Sequence, residues 1–172
     1  MRVVAGSARG RTLQAPPGRD TRPTADRVRE AIFNALGSLG AVEGARVVDL
    51  FAGSGALGIE ALSRGAAWCT FVERDRAARA AITANLAATG LAARATVVAA
   101  DVMAWLARGA GPFDLALADP PYAFDDWPAL LALVPADLVV VESDREVDPG
   151  PGWAHVRTRR YGGTVVSFVR RE

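Results

Sequence analysis

The sequence of 172 residues has no lysine, a single cysteine and no long apolar run. The lone Cys69 excludes an internal disulfide and any metal site built from several cysteines. No apolar stretch approaches the roughly 18–20 residues that a membrane-spanning helix requires, and the start of the chain lacks the apolar segment of a signal peptide. We therefore expect a cytoplasmic protein, monomeric and without a metal or membrane partner, that folds as one main domain.

Because lysine is absent, arginine supplies all 20 basic side chains, against 19 acidic ones. Residues 1–30 hold seven arginines and three acids, and residues 153–172 hold five arginines and one acid. Each end therefore carries a charge of +4, which leaves −7 for the rest of the chain. Basic ends around an acidic body suggest contact with a polyanion, although arginine also serves simply as a solubilising cation.

Short apolar runs alternate with helical segments along most of the chain. Such continuous runs, rich in valine and leucine, are typical of strands buried on both faces of a parallel sheet. The alternation predicts an α/β doubly wound domain. The predicted strands are 46–52, 68–73, 95–100, 113–119 and 137–143, and the predicted helices are 55–64, 75–89, 101–108 and 127–134.

Both ends of the chain depart from this alternation. Two runs joined by Gly162 and Gly163 predict an antiparallel hairpin at the edge of the sheet. The start of the chain resembles a small hairpin around Gly10, followed by a helix over about 25–37. Four apolar residues of that helix share one face, which predicts that it packs on the domain: Val28, Ile32, Ala35 and Leu36. We divide the chain into an extension, 1–40, and a main domain, 41–172.

The segment "DLFAGSGALG" follows a predicted strand and opens a helix, with the spacing G-x-G-x-x-G at Gly53, Gly55 and Gly58. This spacing is typical of dinucleotide sites, in which loop and helix amides face a doubly negative pyrophosphate. Here Asp49 ends the strand, and its charge would repel pyrophosphate but attract a cation. S-adenosylmethionine is a nucleoside that carries a sulfonium and an ammonium group and no phosphate. The carboxylate therefore favours that cofactor over NAD.

Two more carboxylates follow the next two predicted strands. Glu73 lies twenty residues after Gly53, where an acidic side chain can accept both ribose hydroxyl protons of either cofactor. Asp101 lies where it can meet an adenine amino group, although it is equally suited to cap the helix that it precedes. The carboxyl ends of strands are where open α/β sheets bind ligands, so the three acidic residues predict one nucleoside site.

The segment "DLALADPPY" predicts the acceptor site. Each proline restricts the residue before it to extended geometry and offers no N–H, so Asp119 and the Pro120 carbonyl form a rigid cluster of acceptors. Such a cluster suits a substrate NH₂ group and directs its lone pair at a methyl group, by positioning alone. Tyr122 offers a flat face on which a base can stack. The pattern is specific for methyl transfer to an amino group but leaves the substrate open.

These motifs, with "GSARGRTL" and "RPTADRVREAIFNAL" before them, resemble the bacterial 16S ribosomal RNA guanine-N2 methyltransferase family. The resemblance covers residues 2–122 well and "YGGTVVSF" more loosely. It implies a Rossmann-like fold of seven strands, S-adenosylmethionine as cofactor, and a guanine amino group of 16S rRNA, free or in the assembling 30S subunit, as acceptor. The implied acceptor residues are Asp119, Pro120, Pro121 and Tyr122. The implied cofactor residues are Asp49, Phe51, Ala52, Gly53, Ser54, Gly55, Glu73, Arg74, Asp101, Val102 and Asp119.

The resemblance also gives the basic ends a function, which is to hold phosphates around an unpaired RNA loop. Arg29 is ambiguous, because it can pair instead with Asp26 one helical turn away. The residues predicted to contact RNA are Arg9, Arg11, Arg22, Thr24 and Arg27, with Arg157, Arg159 and Arg160 near the other end.

Other functions remain open on the sequence alone. DNA adenine N6 or a protein glutamine amide would suit the same acceptor motif. An NAD-dependent oxidoreductase would use the literal glycine spacing but would have to tolerate Asp49. A catalytically silent rRNA-binding assembly factor would not need the acceptor motif.

Overall fold

The computed structural model describes residues 1–18 and 23–172, without the side chains of residues 23 and 24. Within this part, seven strands form one sheet in the order β3-β2-β1-β4-β5-β7-β6. They are β1 (Arg46–Leu50), β2 (Trp68–Val72), β3 (Ala95–Val98), β4 (Phe113–Ala118), β5 (Ala136–Ser143), β6 (Trp153–Tyr161) and β7 (Thr164–Arg171). The first five strands are parallel, and β7 pairs antiparallel with both β5 and β6. The predicted α/β fold, with a hairpin at one edge, is confirmed.

The helices begin and end close to the predicted positions. Asp75 caps α3 by accepting the N–H of Ala78 at 2.8 Å, and Gly90 ends that helix in the left-handed conformation, as its capping chemistry requires. The helices are α1 (Pro23–Ser38), α2 (Ala56–Ser63), α3 (Arg76–Thr89), α4 (Val102–Ala107) and α5 (Trp127–Leu133), with a short 3₁₀ turn at Ala92–Arg94.

Each face of the sheet packs against its own helices. Val47, Leu117 and Val140 point towards α1, α2 and α3, and we call this side the α1 face. Val48 and Val139 point to the other side, towards α4 and α5. The predicted apolar face of α1 is buried in the first of these cores, so the helix is part of the folded domain. Within the described residues, no helix is both long and apolar enough to cross a membrane.

Residues 1–16, which we call the N-terminal segment, form a loop closed by one antiparallel bridge between Arg2 and Thr12. This bridge stands where the sequence predicted a small hairpin. Gly6 has a φ of +87°, and a Cβ there would lie 1.9 Å from the carbonyl oxygen of Ser63. Only glycine therefore allows the segment to approach α2 so closely.

Polar side chains of α2 and α3 hold the N-terminal segment in place. Glu60 accepts the N–H of Ala5 at 3.0 Å, and the Ser63 hydroxyl donates to the Ala5 carbonyl at 2.6 Å. Asn85 exchanges two hydrogen bonds with the backbone of Gln14, at 2.8 and 2.9 Å. Because these three side chains are buried, leaving them unpaired would be costly, and the segment satisfies them.

Candidate active site

Asp49 lies near the carboxyl end of β1, beneath the glycine loop. Its carboxylate accepts the N–H of Gly58 at 2.9 Å, and only 1% of the residue is exposed. Burial raises the pKa of Asp49 well above its usual range; the Gly58 hydrogen bond opposes that rise, and the carboxylates of Asp119 and Glu73 add to it. A positively charged ligand group beside Asp49 would relieve the cost of ionising it.

The glycines of the loop have different physical functions. Gly55 precedes α2 with a φ of +80°, a left-handed conformation that glycine adopts without strain. At Gly58, a Cβ would lie 2.3 Å from the Phe71 ring and 2.7 Å from the Cys69 sulfur. The third glycine thus lets α2 pack directly on β2, and the buried Cys69 is part of that packing.

Glu73 follows β2 and is tied to the glycine loop. Its two carboxylate oxygens accept the N–H groups of Gly53 and Asp75, each at 2.9 Å. The residue is 8% exposed. These bonds fix the carboxylate beside the loop, where the sequence predicted a ribose acceptor, and leave its other lone pairs for a ligand hydroxyl.

The remaining predicted cofactor residues lie further along the same edge of the sheet. Asp101 accepts the N–H of Ala104 at 3.0 Å, so it does cap α4. Its side chain is half-exposed, with the Arg74 guanidinium 4.0 Å away. Val102, the first residue of α4, is buried in the core on that side of the sheet. Capping uses only one oxygen of Asp101, and the predicted adenine contact is compatible with it.

A cavity of about 220 Å³ connects the glycine loop with the acceptor turn. Of the site residues predicted from the sequence, those that line the described part of the cavity are Asp49, Phe51, Ala52, Gly53, Ser54 and Asp119. The N-terminal segment and α1 supply the opposite wall, with Met1, Ala15, Pro16, Ala25 and Arg29. Nothing in the local sequence indicates that this segment closes the cavity, because the closing contacts join residues far apart in the chain.

Arg29 is buried and is therefore not a surface phosphate contact. Of its two predicted roles, the structure favours pairing with Asp26. It is 3% exposed, and its guanidinium donates to Asp26 at 3.0 Å and to the Arg2 carbonyl. Its Nε lies 3.5 Å from the Glu60 carboxylate. The side chain thus links α1, α2 and the N-terminal segment, and it presents positive charge to the cavity.

The acceptor turn begins directly after β4. Asp119 is exposed at the cavity, Pro120 is buried behind it, and Tyr122 is 59% exposed. The Phe124 N–H donates to the Pro121 carbonyl at 2.8 Å, which closes the turn. A large aromatic face open to solvent is a suitable stacking surface for a base.

The acceptor turn and the glycine loop are in contact through aromatic rings. The Phe51 and Phe124 rings lie 5.4 Å apart, and Phe124 packs edge-on against Trp127 at 5.0 Å. Phe51 has a φ of +59°, which is rare and strained for a residue with a side chain. The ring contact helps to hold this conformation and fixes the two predicted sites relative to each other.

Glu142 is a cavity residue that the sequence reasoning missed. It lies near the end of β5 and lines the same cavity as Asp49 and Asp119. The reasoning that singled out Asp49, an acidic residue at the carboxyl end of a buried strand, applies equally to Glu142 in "DLVVVES". Burial raises the pKa of Glu142, the carboxylates of Asp119 and Asp49 add to that rise, and the Arg29 guanidinium opposes it.

The residues predicted to contact RNA divide into exposed and undescribed ones. Arg9, Arg11 and Arg27 are exposed, and Arg11 also donates to the Ala88 carbonyl at 3.4 Å. Arg22 and the side chain of Thr24 lie outside the described residues. The predicted hairpin residues Arg157, Arg159 and Arg160 are exposed on the edge strand β6.

Known proteins resemble this chain over its whole length. A model of the family described as conserved hypothetical protein 95 matches residues 1–170. The ribosomal RNA small subunit methyltransferase D of Escherichia coli K12 is 45% identical over 182 residues, covering 100% of this chain and 90% of that protein. Bacillus subtilis YlbH is 41% identical over 184 residues, with 99% of each chain covered. The solved structure of Escherichia coli yhhF superposes with a TM-score of 0.87 at 38% identity, covering 100% of this chain and 98% of that one.

The sequence resemblance, the seven-stranded fold and these full-length matches agree. This chain belongs to the conserved hypothetical protein 95 family, together with the small-subunit ribosomal RNA methyltransferases D.

Proposed function

We propose that this chain transfers a methyl group from S-adenosylmethionine to the exocyclic N2 amine of a guanine in 16S rRNA. The observation that carries the proposal is that Asp49, the glycine loop and Asp119 line one cavity. The full-length relative from Escherichia coli is named as a methyltransferase of small-subunit ribosomal RNA, and that name supports the choice of RNA as substrate.

The chemistry of the cavity suits a cationic nucleoside. Asp49 is a buried carboxylate whose raised pKa shows the cost of its charge, and a sulfonium and an ammonium would offset that cost. Glu73 is held beside Gly53 by its hydrogen bond and would accept ribose hydroxyls. Asp101 and the backbone at Val102 would face the adenine. When bound, S-adenosylmethionine supplies an electrophilic methyl group whose bond to sulfur breaks as the bond to nitrogen forms.

The acceptor turn would hold the amine in position. Asp119 and the Pro120 carbonyl accept its two hydrogens, which opposes delocalisation of the nitrogen lone pair and directs it towards the methyl group. Tyr122 stacks on the base, and Asp119 takes the proton that the nitrogen loses after methylation. Such catalysis rests on orientation rather than on a covalent intermediate.

The RNA would lie across the N-terminal part of the chain. We assign the exposed Arg9, Arg11 and Arg27, together with Arg22 and Thr24, to phosphate contacts, and we treat residues 1–40 as the extension that presents them. The target guanine must be unpaired or flipped, because an amine inside a stacked helix cannot reach the cavity.

A labelling experiment tests the proposal. The protein is incubated with radiolabelled S-adenosylmethionine and, separately, with 30S particles, naked 16S rRNA, DNA or protein. We expect label in 16S rRNA or 30S particles as N2-methylguanosine. Label at adenine N6 or in glutamine would show that the acceptor is not guanine. A complete lack of label would favour a non-catalytic assembly factor.

The Asp119→Ala variant tests the acceptor residue. It should lose methyl transfer while its S-adenosylmethionine affinity stays within about threefold, because the change removes an acceptor contact and spares the loop. Asp125→Ala, which removes an exposed carboxylate from the same connecting loop, is the matched control and should retain activity. An active Asp119→Ala protein would refute the assignment.

A further inference from the structure

Glu142 and Asp119 lie side by side at the end of two neighbouring parallel strands. In the register of β4 and β5, Ala118 pairs with Val141; Asp119 follows Ala118 directly after β4, and Glu142 follows Val141 within β5. Neighbouring strands are about 4.8 Å apart. Both side chains line the cavity.

The two acids also point to the same side of the sheet. Leu117 and Val140 are partners in the register, and both point to the α1 face. Side chains two residues apart on a strand share a face, so Asp119 and Glu142 point to the α1 face as well. Arg29 reaches the same cavity from α1.

Two neighbouring carboxyl groups suit a ligand with two neighbouring N–H donors. Burial, and then the charges of Asp119 and Asp49, raise the pKa of Glu142, while Arg29 opposes them. Each carboxylate that accepts an N–H is stabilised in its charged form. A ligand with paired donors would therefore donate to both acids at once, whereas a ligand with an acceptor in place of the second donor would set that acceptor against the Glu142 carboxylate.

Among the candidate substrates, guanine presents such paired donors. Its N2 amine stands beside the ring N1–H on the edge that enzymes read in a flipped base. In adenine and cytosine, the exocyclic amine stands beside a ring nitrogen that accepts. In a glutamine side chain, the NH₂ group stands beside a carbonyl oxygen.

We propose that Glu142 accepts the N1–H of the target base while Asp119 accepts from its N2 amine, so that the two acids together select guanine. This inference rests on the proposed methyl transfer and adds the reason for its specificity. A site built to accept a hydrogen bond rejects analogues that lack the donor, often by several orders of magnitude.

The test replaces the target guanine by 2-aminopurine, which keeps the N2 amine but has an accepting N1. After the methylated position is mapped, 16S rRNA carrying either base there is compared by kcat/KM. We expect the wild-type protein to favour guanine by at least about 100-fold. In Glu142→Gln, the amide can donate to N1 of 2-aminopurine, so the preference should fall below about tenfold.

Asp144→Asn is the matched control, because it makes the same change on an exposed acid two residues further on; its preference should equal that of the wild type. Thermal unfolding of Glu142→Gln should stay close to the wild type, since glutamine has the same shape without the charge. Equal use of both bases by the wild type, or an unchanged preference in Glu142→Gln, overturns this inference but leaves the methyl transfer intact. Label at adenine N6 overturns both.

Discussion

The N-terminal segment and the C-terminal hairpin are both basic but are attached to the domain in different ways. The hairpin is held by backbone hydrogen bonds, since β7 pairs along its length with β5 and β6. The N-terminal segment has one bridge of its own and relies on Glu60, Ser63 and Asn85. Backbone hydrogen bonds between strands tolerate many different side chains. The buried polar side chains that anchor the N-terminal segment tolerate few substitutions.

The two ends also differ in their relation to the cavity. The N-terminal segment and α1 form one wall of the cavity. Among the described residues, none from β6 or β7 lines the cavity. Two basic ends of the sequence therefore take two different positions in the structure. One basic end completes the candidate active site, and the other extends the surface beside it.

The largest effect is expected at the anchor of the N-terminal segment. Glu60 is fully buried, binds the backbone of Val4 and Ala5, and pairs with Arg64 at 2.9 Å and with Arg29. Glu60→Ala should lower the free energy of unfolding by about 3–5 kcal/mol, because the backbone amides of Val4 and Ala5 lose their acceptor and the buried Arg29 loses one of its two carboxylate partners. Denaturant unfolding measures this loss. A loss below about 1 kcal/mol would show that the segment does not depend on this anchor.

A pair of glycine substitutions measures how tightly the segment is packed. Gly6→Ala should cost about 2–4 kcal/mol, since the new Cβ would meet the Ser63 carbonyl and the backbone is left-handed. Gly10 is also left-handed, but no atom lies within 4 Å of its added Cβ. Gly10→Ala should therefore cost only about 1–2 kcal/mol. Equal losses at both positions would contradict the close approach to α2.

In the hairpin, the same substitution should have little effect. Gly163 has open space around it and an ordinary φ, so Gly163→Ala should change the free energy of unfolding by less than about 0.5 kcal/mol. Thermal or denaturant unfolding decides the matter. A loss as large as that of Gly6→Ala would remove the contrast between the two ends.

Asp49, in the cavity beside the N-terminal segment, predicts that stability depends on pH. Burial raises the folded-state pKa of Asp49 above the ordinary value of 3.8, so the folded protein holds a proton that the unfolded chain releases. Stability should then fall as the pH rises from about 4 towards the folded pKa. Asn at position 49 can still accept the Gly58 N–H. The free energy of unfolding of Asp49→Asn should therefore equal that of the wild type near pH 3 and exceed it at pH 7. A constant difference across this range would contradict the shift.

The smallest effect on stability is expected from the hairpin arginines. Arg157 and Arg159 pair in register with Phe168 and Val166, which point to the α1 face, whereas Arg160 pairs with Val165. The double variant R157Q/R159Q should unfold like the wild type within about 0.5 kcal/mol. Its slope of RNA affinity against salt should be shallower by about 1.4, at about 0.7 for each lost phosphate contact. R160Q is the comparison: Arg160 was predicted to contact RNA, but the register places it on the other face of β6 from Arg159, so we expect R160Q to leave the slope unchanged. An unchanged slope in the double variant would remove the hairpin from the RNA surface.

Much of the fold and part of the site could be predicted, because their determinants are local. Apolar runs, turn residues and the order of elements predicted the sheet. Asp75 and Gly90 mark the two ends of α3 through short-range capping. The acids at strand ends could be placed on one edge because parallel strands end together. Asp49 and Asp119 accordingly line one cavity.

The features that escaped prediction depend on distant contacts. Nothing near Arg29 in the sequence shows that Glu60 and the Arg2 carbonyl would bury it. Glu142 could have been noted as an acid near the end of a buried strand, like Asp49, but its position beside Asp119 follows only from the register of β4 and β5. The closing of the cavity by Met1 and Pro16 likewise depends on anchors that lie on α2 and α3.

The anchoring of the N-terminal segment has a consequence for the order of folding. Its hydrogen bonds to Glu60, Ser63 and Asn85 join residues 55 to 71 positions apart. Contacts across such separations are slow to form, since the intervening chain must first be organised. During synthesis, the N-terminal segment leaves the ribosome before α2 and α3 and therefore waits for both helices before it docks, so the cavity is among the last parts of the molecule to be completed.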